Sequence, residues 1–178
     1  NSLNFINLKN WLIGNLEEGL PSSTKPIVNE DYLFRPGAYL ILTENLNVLK
    51  GEYPMLSEDK VLVIDKLPLF NDDEGSVMIM DDQQHIIDYF RYTNDMHSVF
   101  INDDDGVSLE RIAFGRPSNE DQNWKSASSI AGFATPGYAN SNAVGDLSLQ
   151  MESIRIEPEV FVPIVGHPDF ALIRYRFD

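Results

Sequence analysis

The sequence predicts an all-β protein folded as a β-sandwich, and three observations predict it. Short runs of apolar, β-branched and aromatic residues recur along the chain, separated by clusters of Asp, Asn, Gly and Pro. Helical signals are weak, because no long segment keeps the 3.6-residue apolar period. The stretch 106–141 opens on a strand signal, runs through a polar loop with one Trp, and closes on Thr135-Pro136-Gly137 and Asn140.

Taken in order, residues 5–13 carry Phe5, Ile6, Leu8, Trp11, Leu12 and Ile13, enough apolar area for a first strand region. Residues 15–23 and 53–60 have the composition for one turn of helix each. Arg35-Pro36-Gly37 predicts a type II turn, because Pro presets φ and Gly accepts a positive φ at the next position. That turn feeds the run Tyr39-Leu40-Ile41-Leu42-Thr43. Strands are then predicted at Val61-Leu62-Val63-Ile64, at 76–80 between Gly75 and Asp81, at 86–92, and at 107–112.

The small polar residues after Asn140 predict a linker over 143–148. The domain expectation is therefore a sandwich over 1–142 and a strand pair over 149–178. The pair comprises an alternating strand, Met151-Glu152-Ser153-Ile154-Arg155-Ile156, and a second from 170 to 177. Two strands do not make a stable domain alone, so this piece opens a second β domain or adds to the sandwich.

Length and composition narrow the function classes. The 178 residues suffice for a core without disulfides or metals, and 43% hydrophobic residues with 10 Phe and 7 Tyr mark a folded chain. A formal charge of −15 repels phosphate backbones and anionic membranes, so nucleic acid is excluded as a natural partner and a cationic one is favoured. With no Cys, there is neither a disulfide nor a thiolate site. No apolar run reaches the roughly 20 residues of a membrane-crossing helix. The first residues, Asn1-Ser2-Leu3-Asn4-Phe5, do not form a signal peptide.

Several motifs recur in a fixed order. These are Asn7-Leu8-Lys9-Asn10-Trp11, then Pro36-Gly37 before an apolar strand, then an acidic turn at 71–74 leading through Gly75 to Asp88. Ser108-Leu109-Glu110-Arg111 and the Thr135-Pro136-Gly137 ending complete the set. The ordered set, over residues 5–142, resembles the lamin-tail domain, an immunoglobulin-like module of nuclear lamins and of many bacterial surface and secreted proteins. The resemblance implies an immunoglobulin-like sandwich and a first strand that this sequence holds only in part, hence an unpaired edge and an edge-strand dimer. The segment 14–35 is longer than that pattern calls for. The tail, through Glu157-Pro158-Glu159-Val160-Phe161 and Asp169-Phe170-Ala171-Leu172-Ile173-Arg174-Tyr175, resembles the opening of flagellar-hook-capping or gliding-motility-type surface domains. It lacks their acidic loop between the two blocks.

Candidate sites are few. Asp103, Asp104 and Asp105, before Gly106, are the candidate metal ligands, since clustered carboxylates suit Ca²⁺. An EF-hand loop fails here: with Gly106 sixth, Ile101 and Ile112 fall where carboxylates are required. A solvated turn is the stronger reading. Asn71-Asp72-Asp73-Glu74-Gly75 fails the same way, with Phe70 first. His85, His97 and His167 show no zinc spacing, and no phosphate loop or GxSxG elbow is present. No catalytic residue and no cofactor is therefore expected. Trp11 and Trp124 could form a carbohydrate platform, but aromatic rings of sandwiches more often fill the core or pin a loop, with the indole N–H on a backbone carbonyl. The resemblance then implies a non-enzymatic structural or protein-interaction module of a bacterial cell-surface, exported or periplasmic protein. The alternative is a carbohydrate- or calcium-binding accessory module attached to a membrane-associated hydrolase.

Overall fold

The computed structural model describes residues 3–143 in full and, further on, the strand backbones at 151–157 and 172–177. The chain divides into two compact units, Asn1–Val144 and Gly145–Asp178. Both are built from strands, and the first adds one short helix among its described residues. The all-β class expected from the sequence is what the structure has.

The first unit is organised around a four-stranded antiparallel sheet. Numbered in chain order, β1 is Ile6–Asn7, β2 Leu12–Glu17, β3 Leu20–Pro26, β4 Leu33–Phe34, β5 Ile41–Thr43, β6 Val61–Val63, β7 Glu74–Met80 and β8 Ile86–Thr93. The sheet order is β3-β2-β7-β8. β5 and β6 form a parallel pair, and β1 and β4 an antiparallel one. Two three-residue strands, β9 (Leu109–Arg111) and β10 (Trp124–Ser126), pair antiparallel.

β7 shows why the sheet forms. Its side chains alternate, Ser76, Met78 and Met80 buried on one face and Val77 and Ile79 on the other. Ile79 lies opposite Ile13 of β2, and Val77 opposite Phe90 of β8, so these residues share a face. That face carries the core of Ile13, Ile27 and Ile64, with Trp11, Leu42 and Leu62 packed against it. The β5–β6 pair thus supplies the covering layer. On the other face Met78 is fully buried and a Cβ at Gly14 would lie 2.9 Å from the Ser22 carbonyl oxygen, so only glycine permits this approach of β2 to β3.

Residues 15–23, expected to hold a helical turn, form the β2–β3 hairpin instead. Glu18 and Gly19 both have positive φ, as a two-residue type I′ turn requires. The hydroxyl of Ser76 replaces part of the β2–β7 ladder, accepting from the Leu16 N–H at 2.7 Å and donating to its carbonyl. Residues 53–60 hold only the 3-10 turn Glu58–Lys60. The α-helix, α1, lies earlier, at Leu46–Glu52. Asn45 caps it by accepting from the N–H groups of Asn47 and Val48. Seven residues with none buried leave no amphipathic stripe to read. The predicted turn at Arg35-Pro36-Gly37 is present: the Ala38 N–H donates to the Arg35 carbonyl and Gly37 has φ +67°.

In the second unit β11 (Met151–Glu157) and β12 (Leu172–Phe177) pair antiparallel, with an irregularity between Met151 and Ile154. The two blocks that resemble a surface-domain opening fall mostly outside the described residues, as does the loop 162–168 between them.

Candidate functional site

The segment 108–142 has almost no regular structure, yet it encloses the most buried polar groups of the first unit. Glu110, 4% exposed, stands at its centre on β9. One carboxylate oxygen accepts from the Thr135 hydroxyl. The other accepts from both the N–H and the hydroxyl of Ser141, each at 2.6 Å. The Ser108-Leu109-Glu110-Arg111 and Thr135-Pro136-Gly137 motifs are thereby joined through one carboxylate. Lys60 secures the same turn from the other side: its ammonium donates to the Gly137 carbonyl at 2.7 Å and lies 3.9 Å from the Tyr138 ring centre.

Asn123 is fully buried and acts as a plug for the loop 113–117. Its amide oxygen accepts from the Ala113 N–H, and its NH₂ donates to the carbonyls of Ala113 and Pro117 at 2.9 and 3.1 Å. Ser126 accepts from the Ser98 N–H at 2.8 Å and lies 3.1 Å from Nδ1 of His97. At 4% exposure, this hydroxyl clamps the loop after β8 onto β10. Asn123 and Ser126 flank Trp124 in a stretch whose composition suggests loop pinning, but nothing in the residue pattern marks either as buried.

Between β8 and the β9–β10 pair lies a cleft of about 560 Å³. Val77, Ile79, Phe90 and Tyr92 form its sheet wall, and Leu109 and Trp124 face them. Trp124 stacks on Phe90, ring centres 3.6 Å apart, and its indole N–H donates to the Ser118 carbonyl at 2.6 Å. The expected pinning role of Trp124 is what the geometry shows; Trp11 is half-buried against the core. At the cleft's ends stand Asp72 and Asp88. Asp88 takes the Ser118 hydroxyl and the Arg111 guanidinium, the latter at 3.5 Å, and Arg111 also donates to the carbonyls of Phe114 and Arg116. Burial raises the Tyr92 phenol above its usual pKa, and the nearby Asp72 carboxylate adds to the rise. The Tyr92 hydroxyl donates to the Asn71 carbonyl at 2.6 Å.

Among the described residues β8 forms one border of the sheet and no strand pairs with its outer edge; at its Asp88–Tyr89 end, Ser118 and Asn119 bond to the two side chains. The opposite border, β3, carries Pro21, Lys25 and Pro26, and Ser23 has a positive φ next to the β2–β3 register shift. Those are features that discourage a further strand. β8 has no Pro and no Lys.

The candidate ligands Asp103, Asp104 and Asp105 do converge, with carboxylate oxygens within 4.8 Å of one another. Their environment is that of a turn: the Asp105 N–H donates to an Asp103 carboxylate oxygen, the Val107 N–H donates to the Asp104 carbonyl, and Gly106 has φ +77°. Of the histidines, His85 sits 3.1 Å from Asp81 and His97 on Ser126, while His167 is outside the described residues. Comparison with family models, with curated proteins and with solved structures finds no match to this chain.

Proposed function

We propose that this chain is a non-catalytic structural and protein-interaction module of a bacterial cell-surface or exported multidomain protein, with an immunoglobulin-like sandwich of the lamin-tail type. The observation that carries the reading is the asymmetry of the sheet: one border is blunted by Pro and Lys, and the other lacks both, has no strand paired beyond it among the described residues and adjoins an aromatic cleft. An unguarded edge invites a strand from another polypeptide. A second observation points the same way. The buried polar groups Glu110, Asn123 and Ser126 are each engaged in holding loops, which is the work of a scaffold. The cell-surface setting rests on the sequence resemblance.

The test is photo-crosslinking in the intact parent protein. A benzophenone side chain replaces Ile87, which is exposed on β8, or Glu18, exposed in the β2–β3 turn. The expected outcome is a crosslink to another polypeptide from position 87, none from position 18, and labelling of the protein by an impermeant reagent on whole cells. Silence from both positions removes the interaction reading, and failure of surface labelling removes the location.

A further inference from the structure

Resting on that interaction reading, we propose that β8 accepts an extended segment of basic and apolar residues as a fifth strand, whose inward side chains fill the aromatic cleft. The phase of the ladder locates the accepting groups. The Asn94 N–H donates to the Asp73 carbonyl at 2.9 Å, and these residues continue the β7–β8 register. Opposed residues alternate between bonded and non-bonded pairs in an antiparallel ladder. Tyr92 and Phe90 therefore bond to β7, while Thr93, Arg91 and Tyr89 turn their N–H and C=O groups outward. The Tyr89 N–H fits this phase, since it takes an Asp88 carboxylate oxygen at 3.0 Å. Arg91 and Thr93, both exposed, remain as the outward rungs.

Side-chain direction selects what enters the cleft. Asp88, Phe90 and Tyr92 point to the face shared with Val77 and Ile79, so alternate residues of an added strand land on that same face, opposite Leu109 and Trp124. An apolar lining calls for apolar side chains there. Charge selects the remainder. Asp72 and Asp88 border the cleft, Asp73 and Glu74 adjoin the end of β8, and the Arg111 guanidinium in the lining is paired with Asp88 and donates to two carbonyls, its buried Nε staying without a partner. With −15 on the whole chain, the field repels acidic segments and a second copy of this protein alike. The occupant is thus a basic strand of alternating pattern, held by its main chain and selected by charge and by the cleft.

The probes are two synthetic octapeptides, one alternating Val with Lys and one alternating Val with Glu, titrated into the whole chain. Amide exchange is followed by NMR. The inference expects the Lys peptide to bind, the Glu peptide not to bind, and the Arg91 and Thr93 amides to slow in exchange on binding. Arg91→Pro removes an outward N–H and keeps the β7 ladder, and it weakens binding by roughly tenfold or more. Binding of the Lys peptide that is insensitive to Arg91→Pro and leaves those two amides unprotected overturns the inference in favour of diffuse charge attraction. A dimer in light scattering that Arg91→Pro dissolves overturns it in favour of a second copy. If neither peptide binds while position 87 still crosslinks in cells, the interaction reading stands and the basic-strand inference fails.

Discussion

The four-stranded sheet and the segment 108–142 are held together by different physics. In the sheet, the backbone ladder and alternating apolar side chains carry the structure, with Met78 and Ile13 buried on its two faces. In the segment 108–142, two strands of three residues supply few ladder bonds. Its coil is held by buried side chains that replace a ladder: Glu110 ties the ends together, and Asn123 and Ser126 hold the loops between. The difference teaches where each region is fragile. A sheet loses stability with lost volume, while a polar-locked coil loses it with one lost acceptor.

The strongest way to break the comparison is Glu110→Ala. It deletes a buried carboxylate that accepts three hydrogen bonds and strands the donors of Thr135 and Ser141. The expected cost is about 4 kcal/mol, from hydrogen bonds to a charged group and from unpaired buried donors. Glu110→Gln keeps one acceptor oxygen but sets an NH₂ against one partner, so it recovers only part of the loss. Denaturant unfolding gives the total, and hydrogen exchange gives the location. Exchange should rise across 126–142 well before it rises in β2 and β7. Uniform acceleration in both regions would show that the carboxylate supports the whole unit and that the two regions are one cooperative body.

Met78→Ala is the matching test in the sheet. Met78 is 0% exposed and its methyl lies 3.0 Å from the place a Gly14 Cβ would occupy. Truncation leaves a cavity that the close β2–β3 approach cannot fill, at a cost of about 3 kcal/mol. Here the m-value should hold while the midpoint falls, with exchange rising through β2, β7 and β8 together. Should the loss be confined to the β2–β3 hairpin, β3 is a separately fraying flap and the sheet is not the rigid partner in the comparison.

The same contrast explains what the sequence revealed. The strands β5 to β9 announce themselves through apolar runs bounded by Gly, Pro and Asp, and the Arg35-Pro36-Gly37 turn through φ requirements. The β2–β3 hairpin was missed because Pro21, Ser22, Ser23 and Lys25 on an edge carry no apolar alternation, although Glu18-Gly19 between Leu16 and Leu20 was a turn signal in plain sight. In the locked segment, motif order pointed to Glu110 and Thr135 without showing that they touch. Asn123 and Ser126 stand out only as polar neighbours of Trp124; their burial is not legible, since a buried amide or hydroxyl is recognised by its partners and those lie up to 29 residues away. That no described strand pairs with the outer edge of β8 is likewise a property of strand order, which periodicity does not encode.

The smallest expected effect tests whether a polar tie at the surface resembles the buried ones. Asp31 accepts from the Asn7 side chain at 2.9 Å and lies 3.4 Å from the Lys9 ammonium, joining the approach to β4 to the end of β1. The Asn7 hydrogen bond, followed by Lys9, lowers its pKa below the ordinary 3.8. A depressed carboxyl stabilises the fold above its unfolded pKa, and that contribution disappears as the pH falls through the lower folded value. The stability difference between wild type and Asp31→Asn should therefore be present near neutrality, shrink below pH 3.8 and be reduced by salt throughout. Taking the difference cancels the relief of general acidic repulsion that both proteins share on acidification. If the difference instead survives both acid and salt, the amide of Asn7 rather than the charge of Lys9 sustains the contact. The surface tie would then belong with the buried hydrogen-bond locks of 108–142, with its acceptor mattering more than its charge.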